Sequence, residues 1–276
     1  MSIRLITLIE NTISAHRGMA VEHGLSFYLE TPTIKLMFDF GESGKVYDNM
    51  IRLNIPIEDI QYAVCSHAHY DHGGGFKYIV PQINFDRFIT GRGFWTSKYS
   101  TDGHKYTYLG PAINPELLKK QGIQHQICDD ILQLSSDCWA IGNFKRNTTY
   151  ESIPKRFVLE SQSGQFEPDL FEDEICLAVE TGRGLAVIVG CSHPGIINIL
   201  NTVKERFNRP IISVWGGAHL VKASEERIMH TAQALQQLGI EQVGLCHCSG
   251  EQLEQLAAYL PSAECCRIGA GDTVFL

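Results

Sequence analysis

QYAVCSHAHYDHGGG, residues 61–75, is an apolar run that leads directly into a histidine-rich loop and three glycines. The apolar part, residues 61–65, is typical of a buried β-strand. Four potential metal ligands follow it within six residues: His67, His69, Asp71 and His72. Imidazoles and a carboxylate suit zinc, manganese or iron. Because three of the chain's 11 histidines fall in this short loop, a metal site is favoured over a solvated polar loop.

The sequence on both sides of this loop predicts alternating strands and helices. Before it, branched and aromatic runs predict strands at 3–9, 25–30 and 35–40 and a helix at 46–53. After residue 172, the pattern predicts a hairpin at 175–189, helices at 194–208, 224–238 and 252–260, and strands at 211–215, 242–246 and 273–276. Residues 81–172 lack clear periodicity, so we expect an inserted cap or lid there. Strands first, then β-α-β-α-β, favour an α+β fold with two sheets faced by helices.

Composition narrows the classes of protein to consider. The 276 residues, 44% apolar and 20% charged, are expected to form a single globular domain over 1–276. A net charge of −8 argues against nucleic-acid or membrane binding that rests on charge alone. The nine cysteines are odd in number and show no Cys-x-x-Cys pair. Glu10 interrupts the N-terminal apolar stretch and no apolar run is long enough to span a membrane, so we expect a cytoplasmic protein.

The loop and its surroundings resemble the metallo-β-lactamase superfamily. The strings that carry the resemblance are FDFG at 38–41, SHAHYDHGGG at 66–75, GCSH at 190–193, GGAH at 216–219 and HCSG at 247–250. With EHGLS at 22–26 and GAGD at 269–272, they resemble one branch, named after a dihydropterin–ribofuranosylaminobenzene 5′-phosphate synthase. The resemblance implies a four-layer αββα sandwich with one or two metal ions between the edges of its sheets. Zinc is expected first, with manganese or iron as alternatives.

The resemblance also implies further ligands. His247 lies where the superfamily has its last histidine ligand, although a buried core histidine is the alternative. His193 is a second expected ligand, with helix capping as its alternative. Relatives place a metal-bridging Asp at the position of Cys191, so either Cys191 or His193 must replace it. Glu174 is a further candidate for the second metal, and a solvated turn residue is its alternative reading.

Three other residues receive expected roles from the same resemblance. His219 and Asp71 are the expected catalytic residues, with Asp71 also a metal ligand. His219 would act as a general acid or contact the substrate, and it could instead be a ligand or a structural residue. Asp39 is expected to hydrogen-bond the metal-bearing loop without touching a metal.

The function implied is a metal-dependent hydrolase in which an activated water attacks an ester or phosphodiester. The alternatives are a synthase-like transferase acting on a pterin and an aminobenzene nucleotide, and a non-catalytic metal-binding or ligand-binding protein. The expected partner is a small molecule, phosphorylated or pterin-like, and the oligomeric state stays open. Candidate phosphate contacts in the irregular segment are Arg92, Lys98, Lys105, Lys145 and Arg146, and candidate aromatic contacts are Phe94, Trp95 and Tyr99.

Overall fold

Short apolar strands, buried on both faces near the centre of each large sheet, build this protein. It is seen in a computed structural model that describes residues 3–16, 18–161 and 163–276. The strands in chain order are β1 Arg4–Ile9, β2 Ser26–Glu30, β3 Lys35–Phe38, β4 Tyr62–Val64, β5 Arg87–Gly91, β6 Lys98–Thr101, β7 Tyr106–Tyr108, β8 Gln124–Cys128, β9 Ile131–Gln133, β10 Cys138–Ile141, β11 Phe157–Glu160, β12 Phe166–Pro168, β13 Cys176–Glu180, β14 Leu185–Val189, β15 Ile211–Gly216, β16 Gln242–Leu245, β17 Glu264–Arg267 and β18 Thr273–Phe275.

The helices connect these strands. They are α1 Lys45–Arg52, α2 Tyr70–Gly73, α3 Phe76–Ile79, α4 Pro115–Gln121, α5 Ile196–Phe207, α6 Glu225–Leu238 and α7 Gln252–Tyr259, with 3₁₀ turns at Ile57–Asp59 and His247–Ser249. Within the described residues, none of them combines the length and the apolar character needed to cross a membrane.

Two seven-stranded sheets face each other. The first has the order β18-β1-β2-β3-β4-β5-β8 and the second β17-β16-β15-β14-β13-β10-β9. Between them lies an apolar core that includes Phe27, Phe38, Ile188 and Trp215. Helices α1, α3 and α4 pack on the outer face of the first sheet, and α5, α6 and α7 on that of the second. The expected four-layer αββα sandwich is confirmed.

Parallel pairing brings the chemically active loops together. Strand β4 pairs in parallel with β3 and β5, and β14, β15 and β16 are parallel neighbours in the second sheet. Because the carboxyl ends of parallel strands lie at one edge of a sheet, the loops that follow them converge. Those loops begin with the SHAHYDH, GCSH, GGAH and HCSG strings.

The irregular segment 81–172 is only partly separate from the sandwich. Its strands β5 and β8 belong to the first sheet and β9 and β10 to the second. The part that stands apart is a third, antiparallel sheet with the order β12-β11-β6-β7. Strand β17, at the edge of the second sheet, is an element that sequence periodicity did not predict.

Phe38→Ala tests the core between the sheets. Phe38 has no exposed surface, so we expect its truncation to lower the free energy of unfolding by about 3–5 kcal/mol, measured by chemical denaturation. Phe275→Ala is the matched control, because 65% of that residue is exposed and the expected change is within about 0.5 kcal/mol. Equal effects of the two variants would contradict the placement of the core.

Candidate metal centre

Three histidines from two different loops form the first cluster of the site. His67 and His69 follow strand β4, and His193 follows β14. One ring nitrogen of each lies within 4.8 Å of those of the other two. All three residues are buried, and burial lowers the pKa of His69 to about 3 and holds the pKa values of His67 and His193 well below the usual range. The imidazoles are therefore neutral, which is the form that binds metal ions.

This cluster fits a divalent metal ion. In the described part of the chain, Nε2 of His67, Nε2 of His69 and both ring nitrogens of His193 are buried without a hydrogen-bond partner. Leaving a buried polar atom unpaired costs a free energy of about 1–3 kcal/mol. A bound partner at these nitrogens would remove that cost. Three neutral imidazoles are a common donor set for zinc in proteins.

A second cluster adjoins the first and contains mixed donors. Nε2 of His72 lies 3.2 Å from Sγ of Cys191 and 3.2 Å from Nε2 of His247. Oδ2 of Asp71 lies 3.3 Å from Nε2 of His247. Cys191 also falls within 4.8 Å of both His67 and His72, which places its thiol between the two clusters.

Asp39 anchors the loop that carries His67, His69 and His72 through hydrogen bonds. Its carboxylate accepts hydrogen bonds from the backbone N–H of Ser66 (2.7 Å), the hydroxyl of Ser66 (2.8 Å) and Nδ1 of His72 (2.6 Å). Asp39 is fully buried and adopts a left-handed φ of 62°. The Nδ1 bond leaves Nε2 of His72 as the nitrogen that faces the cluster, as expected for a carboxylate that orients a ligand.

Three further buried carboxylates hold the backbone of the ligand loops in the same way. Asp173 accepts a hydrogen bond from the backbone N–H of Ala68 (2.8 Å), and Glu10 accepts one from that of His247 (2.6 Å). Glu174 accepts two, from the backbone N–H groups of Ser192 (2.5 Å) and His193 (2.9 Å). Glu174 thus contacts the backbone of the GCSH loop, and Cys191 is the residue whose side chain lies in the clusters. Burial raises the pKa of Glu174 to about 8 despite its two backbone donors.

Asn11 orients the last histidine. Its side-chain oxygen lies 3.0 Å from Nδ1 of His247 and accepts the backbone N–H of Gly24 at 3.2 Å. Nε2 of His247 is left facing Asp71 and His72. His72 and His247 are therefore both held through Nδ1, and the Nε2 atoms of both face the second cluster.

The charge of the second cluster is set by neighbouring groups. Burial opposes ionisation of Asp71, but hydrogen bonds from His23 and His247 outweigh it and hold the pKa of Asp71 well below its usual range. Nε2 of His23 lies 3.2 Å from Oδ2 of Asp71. Burial likewise opposes protonation of His72, but the carboxylate of Asp39 raises its pKa to about 9.

A cavity of about 300 Å³ opens onto both clusters. Its polar wall includes Asp71, Cys191 and His219, and its other walls include Phe157 and Arg156. The full lining is Asn11, His23, His69, Tyr70, Asp71, Ser100, Leu109, Arg156, Phe157, Cys191, His193, His219, Val221, His247 and Cys248. The third sheet supplies one side of this cavity through Ser100 on β6 and Phe157 on β11.

His219 lies beside the first cluster without joining it. Its ring centroid is 4.5 Å from that of His193 and 6.1 Å from that of Phe157. Burial, followed by the positive charges of Arg227 and Arg156, lowers the pKa of His219 to about 4. The structure therefore brings His67, His69, Asp71, His72, His193, His219 and His247 to one cavity or to its floor.

Lys98 lies behind the first cluster, not in the cavity. Its ammonium is buried and bonds to Asp169 (2.6 Å) and Asp173 (2.9 Å). It also lies 4.5 Å from the ring centroid of Phe171, which stacks on His193 at 3.8 Å. Through Asp173, Lys98 therefore supports the loop that carries His67 and His69, and it is not available to a phosphate.

The other residues considered as substrate contacts do not line this cavity either. Arg92 and Lys145 pair with surface carboxylates, Arg146 bonds to the carbonyl of Leu170, and Lys105 is exposed. Phe94 and Trp95 pack against the first sheet, and Tyr99 bonds to Glu160 at 3.0 Å. Sequence reasoning missed these site residues: Glu10, Asn11, Tyr70, Ser100, Arg156, Phe157 and Cys248. Tyr70 and Cys248 lie in recognisable strings, SHAHYDHGGG and HCSG, whereas the other five lie in no recognisable string.

Comparisons with known proteins identify relatives of this chain. The metallo-β-lactamase superfamily model matches residues 20–92. A 7,8-dihydropterin-6-methyl-4-(β-D-ribofuranosyl)aminobenzene-5′-phosphate synthase of Methanocaldococcus jannaschii is 29% identical over 267 residues, covering 92% of this chain and 90% of that protein. An uncharacterised protein of the same organism is 30% identical over 79% of this chain and 80% of its own length. A crystal structure of a metal-dependent hydrolase of the β-lactamase superfamily is 30% identical, covers 99% of both chains and has a TM-score of 0.84.

Asp39→Asn tests how the histidine loop is held. An amide cannot accept all the hydrogen bonds that the carboxylate accepts from Ser66 and His72, so we expect metal affinity to fall about 10–100-fold. Competition with a chromogenic zinc chelator measures the change. Asp48→Asn, an exposed change on helix α1, is the control, and wild-type affinity in Asp39→Asn would contradict the orienting role.

Proposed function

Because the chain belongs to the metallo-β-lactamase superfamily, we propose that it is a metal-dependent hydrolase that cleaves an ester or phosphodiester of a small molecule. The observation that carries the proposal is the pair of adjoining donor clusters, buried at the floor of one cavity and joined by Cys191. Neutral imidazoles without hydrogen-bond partners are suited to metal binding and serve no evident packing purpose.

The ligand residues divide between two pockets. We assign His67, His69 and His193 to the first, and Asp71, His72, Cys191 and His247 to the second. Zinc suits this mixture of imidazole, thiolate and carboxylate best, and iron suits it better than manganese does. A divalent ion bound there would activate water for attack and stabilise negative charge that develops on the substrate.

His219 is the proposed proton donor, and Asp71 is the second catalytic residue because its carboxylate faces the cavity as well as the second cluster. In the free protein, burial keeps His219 neutral. The negative charge of a bound phosphate would act in the opposite sense and favour the protonated imidazole. A protonated His219 could then transfer its proton to the leaving group.

A transferase reaction is the second candidate, favoured by the 29% identity with the synthase over nearly the whole chain. The same donor clusters would then stabilise a departing pyrophosphate. The two candidates differ in what attacks, water or a second substrate. Release of pyrophosphate only when a pterin pyrophosphate and an aminobenzene nucleotide are supplied together would favour the transferase.

Metal content is the first test of the proposal. We expect about two metal ions per chain by elemental mass spectrometry, with fewer in His69→Ala and in Cys191→Ala. Hydrolysis of bis(p-nitrophenyl) phosphate should fall at least about 100-fold in His69→Ala, since ligand loss should exceed the effect of losing an orienting partner. His230→Ala, on the half-exposed side of helix α6, is the control. Absence of metal after reconstitution would rule out the enzyme proposal.

Arg156 tests whether the substrate carries an anionic group. Its guanidinium lies over the ring of Phe157, 4.6 Å from the ring centroid, at the wall of the cavity. We expect Arg156→Met to raise KM for a phosphorylated substrate about 10-fold or more and to leave KM for a neutral ester unchanged. Lys155→Met is the matched control, because Lys155 is exposed and does not line the cavity. An equal effect on both substrates would contradict phosphate recognition by Arg156.

A further inference from the structure

Two thiols face the metal cavity. The nine cysteines are all unpaired, and Cys191 and Cys248 are the two that line this cavity. Cys191 occupies the position between the two donor clusters. Cys248 follows His247 directly in the 3₁₀ turn after strand β16, and it is outside the ligand set assigned above.

The geometry groups both thiols with one histidine. Sγ of Cys191, a ring nitrogen of His247 and Sγ of Cys248 all lie within 4.8 Å of one another. His247 adopts a left-handed φ of 52°, and its backbone N–H is held by Glu10. The turn that carries Cys248 is therefore fixed by the same contacts that fix a proposed ligand.

The surroundings of Cys248 leave room for its sulfur and offer it a donor. A Cβ on Gly217 would lie 2.6 Å from Sγ of Cys248, so glycine at 217 gives the sulfur its space. The backbone N–H of His219 donates to Sγ at 3.3 Å, and the thiol lies 3.4 Å from the carbonyl oxygen of Cys191. These contacts hold the sulfur at the wall of the cavity, next to His247.

We propose that Cys248 is a further ligand of the second pocket, where its thiolate joins Cys191 and His247 on the same metal ion. The inference rests on the proposed function, because it requires a metal in that pocket. On binding, each thiol forms a sulfur–metal bond and releases its proton to solvent. The second pocket then has two thiolates, while the first has only imidazoles.

This donor set determines which metals the second pocket retains. Thiolates are soft ligands that select zinc and iron, whereas manganese and magnesium prefer oxygen. We therefore expect the second pocket to reject manganese more strongly than the first pocket does. Without Cys248 that difference should become smaller.

Cys248→Ser separates ligation from a hydrogen-bonding role. A serine hydroxyl can still accept the N–H of His219 and donate to the carbonyl of Cys191, but it is a poor ligand for zinc or cobalt. Cys191→Ser is the positive comparison. Cys265→Ser is the control, because Cys265 is a half-buried cysteine at the edge of the second sheet, away from the cavity.

Titration with cobalt(II), in the presence of a phosphine reductant, detects thiolate ligands directly through their absorption. We expect the near-ultraviolet sulfur-to-cobalt absorption of wild-type protein to fall by about half in Cys248→Ser, and the second cobalt to bind about 10-fold or more weakly. The visible bands of the first cobalt should stay, which shows that the variant is folded. Wild-type absorption and affinity in Cys248→Ser would overturn the inference and leave the proposed function intact. Failure of wild-type protein to bind cobalt or zinc would overturn both.

Thiol alkylation of unmodified protein gives an independent measurement. We expect zinc-loaded protein to protect both Cys191 and Cys248 from iodoacetamide, and zinc-free protein to leave Cys248 reactive, as read by peptide mass spectrometry. Protection of Cys191 alone would overturn the inference, whether or not the serine variant folds.

Discussion

The structure depends on keeping imidazole nitrogens buried without protein partners. His67, His69 and His193 each present such nitrogens to one another, at a cost of about 1–3 kcal/mol for every unpaired atom. Left to relax, these side chains would rotate toward water or toward backbone acceptors. The surrounding structure therefore has to hold them, and a bound cation would recover the free energy that their burial costs.

Buried carboxylates hold the loops that carry the ligands, and they add negative charge around the site. Asp39 and Asp173 are themselves partnered, by His72 and by the buried Lys98. Glu10 and Glu174 bind chiefly backbone or hydroxyl donors, and burial raises the pKa of Glu174 to about 8. Divalent ions at the centre would favour the ionised form of Glu174. Metal binding and the positions of the histidine-bearing loops would therefore be mutually dependent.

Features that depend on residues close together in the sequence could be predicted. Features that depend on contacts between residues far apart in the sequence could not. Local patterns predicted two sheets faced by helices and a metal site at the SHAHYDH loop, whereas the four-layer sandwich was expected from the resemblance to the superfamily. Arg156 and Phe157 reach the cavity because β11 pairs with β6 more than 50 residues away in sequence, and nothing in the irregular segment signals that register. Lys98 looked like a free cation because its partners, Asp169 and Asp173, lie about 70 residues further along the chain. Glu174 and Cys191 were both candidates for the second metal site. The structure places the carboxylate of Glu174 on backbone N–H groups and the thiol of Cys191 between the two clusters.

The two proposed reactions would use the same two clusters and the same His219. The choice between hydrolysis and transfer would then depend on what fills the cavity that these groups line. Phe157, Leu109 and Val221 give that cavity apolar walls, while Arg156 offers a single cation at its side. A flat substrate packed against those walls would exclude water and leave a second substrate as the attacking group. A smaller phosphorylated substrate held by Arg156 would leave space for water, and the same centre would then hydrolyse it.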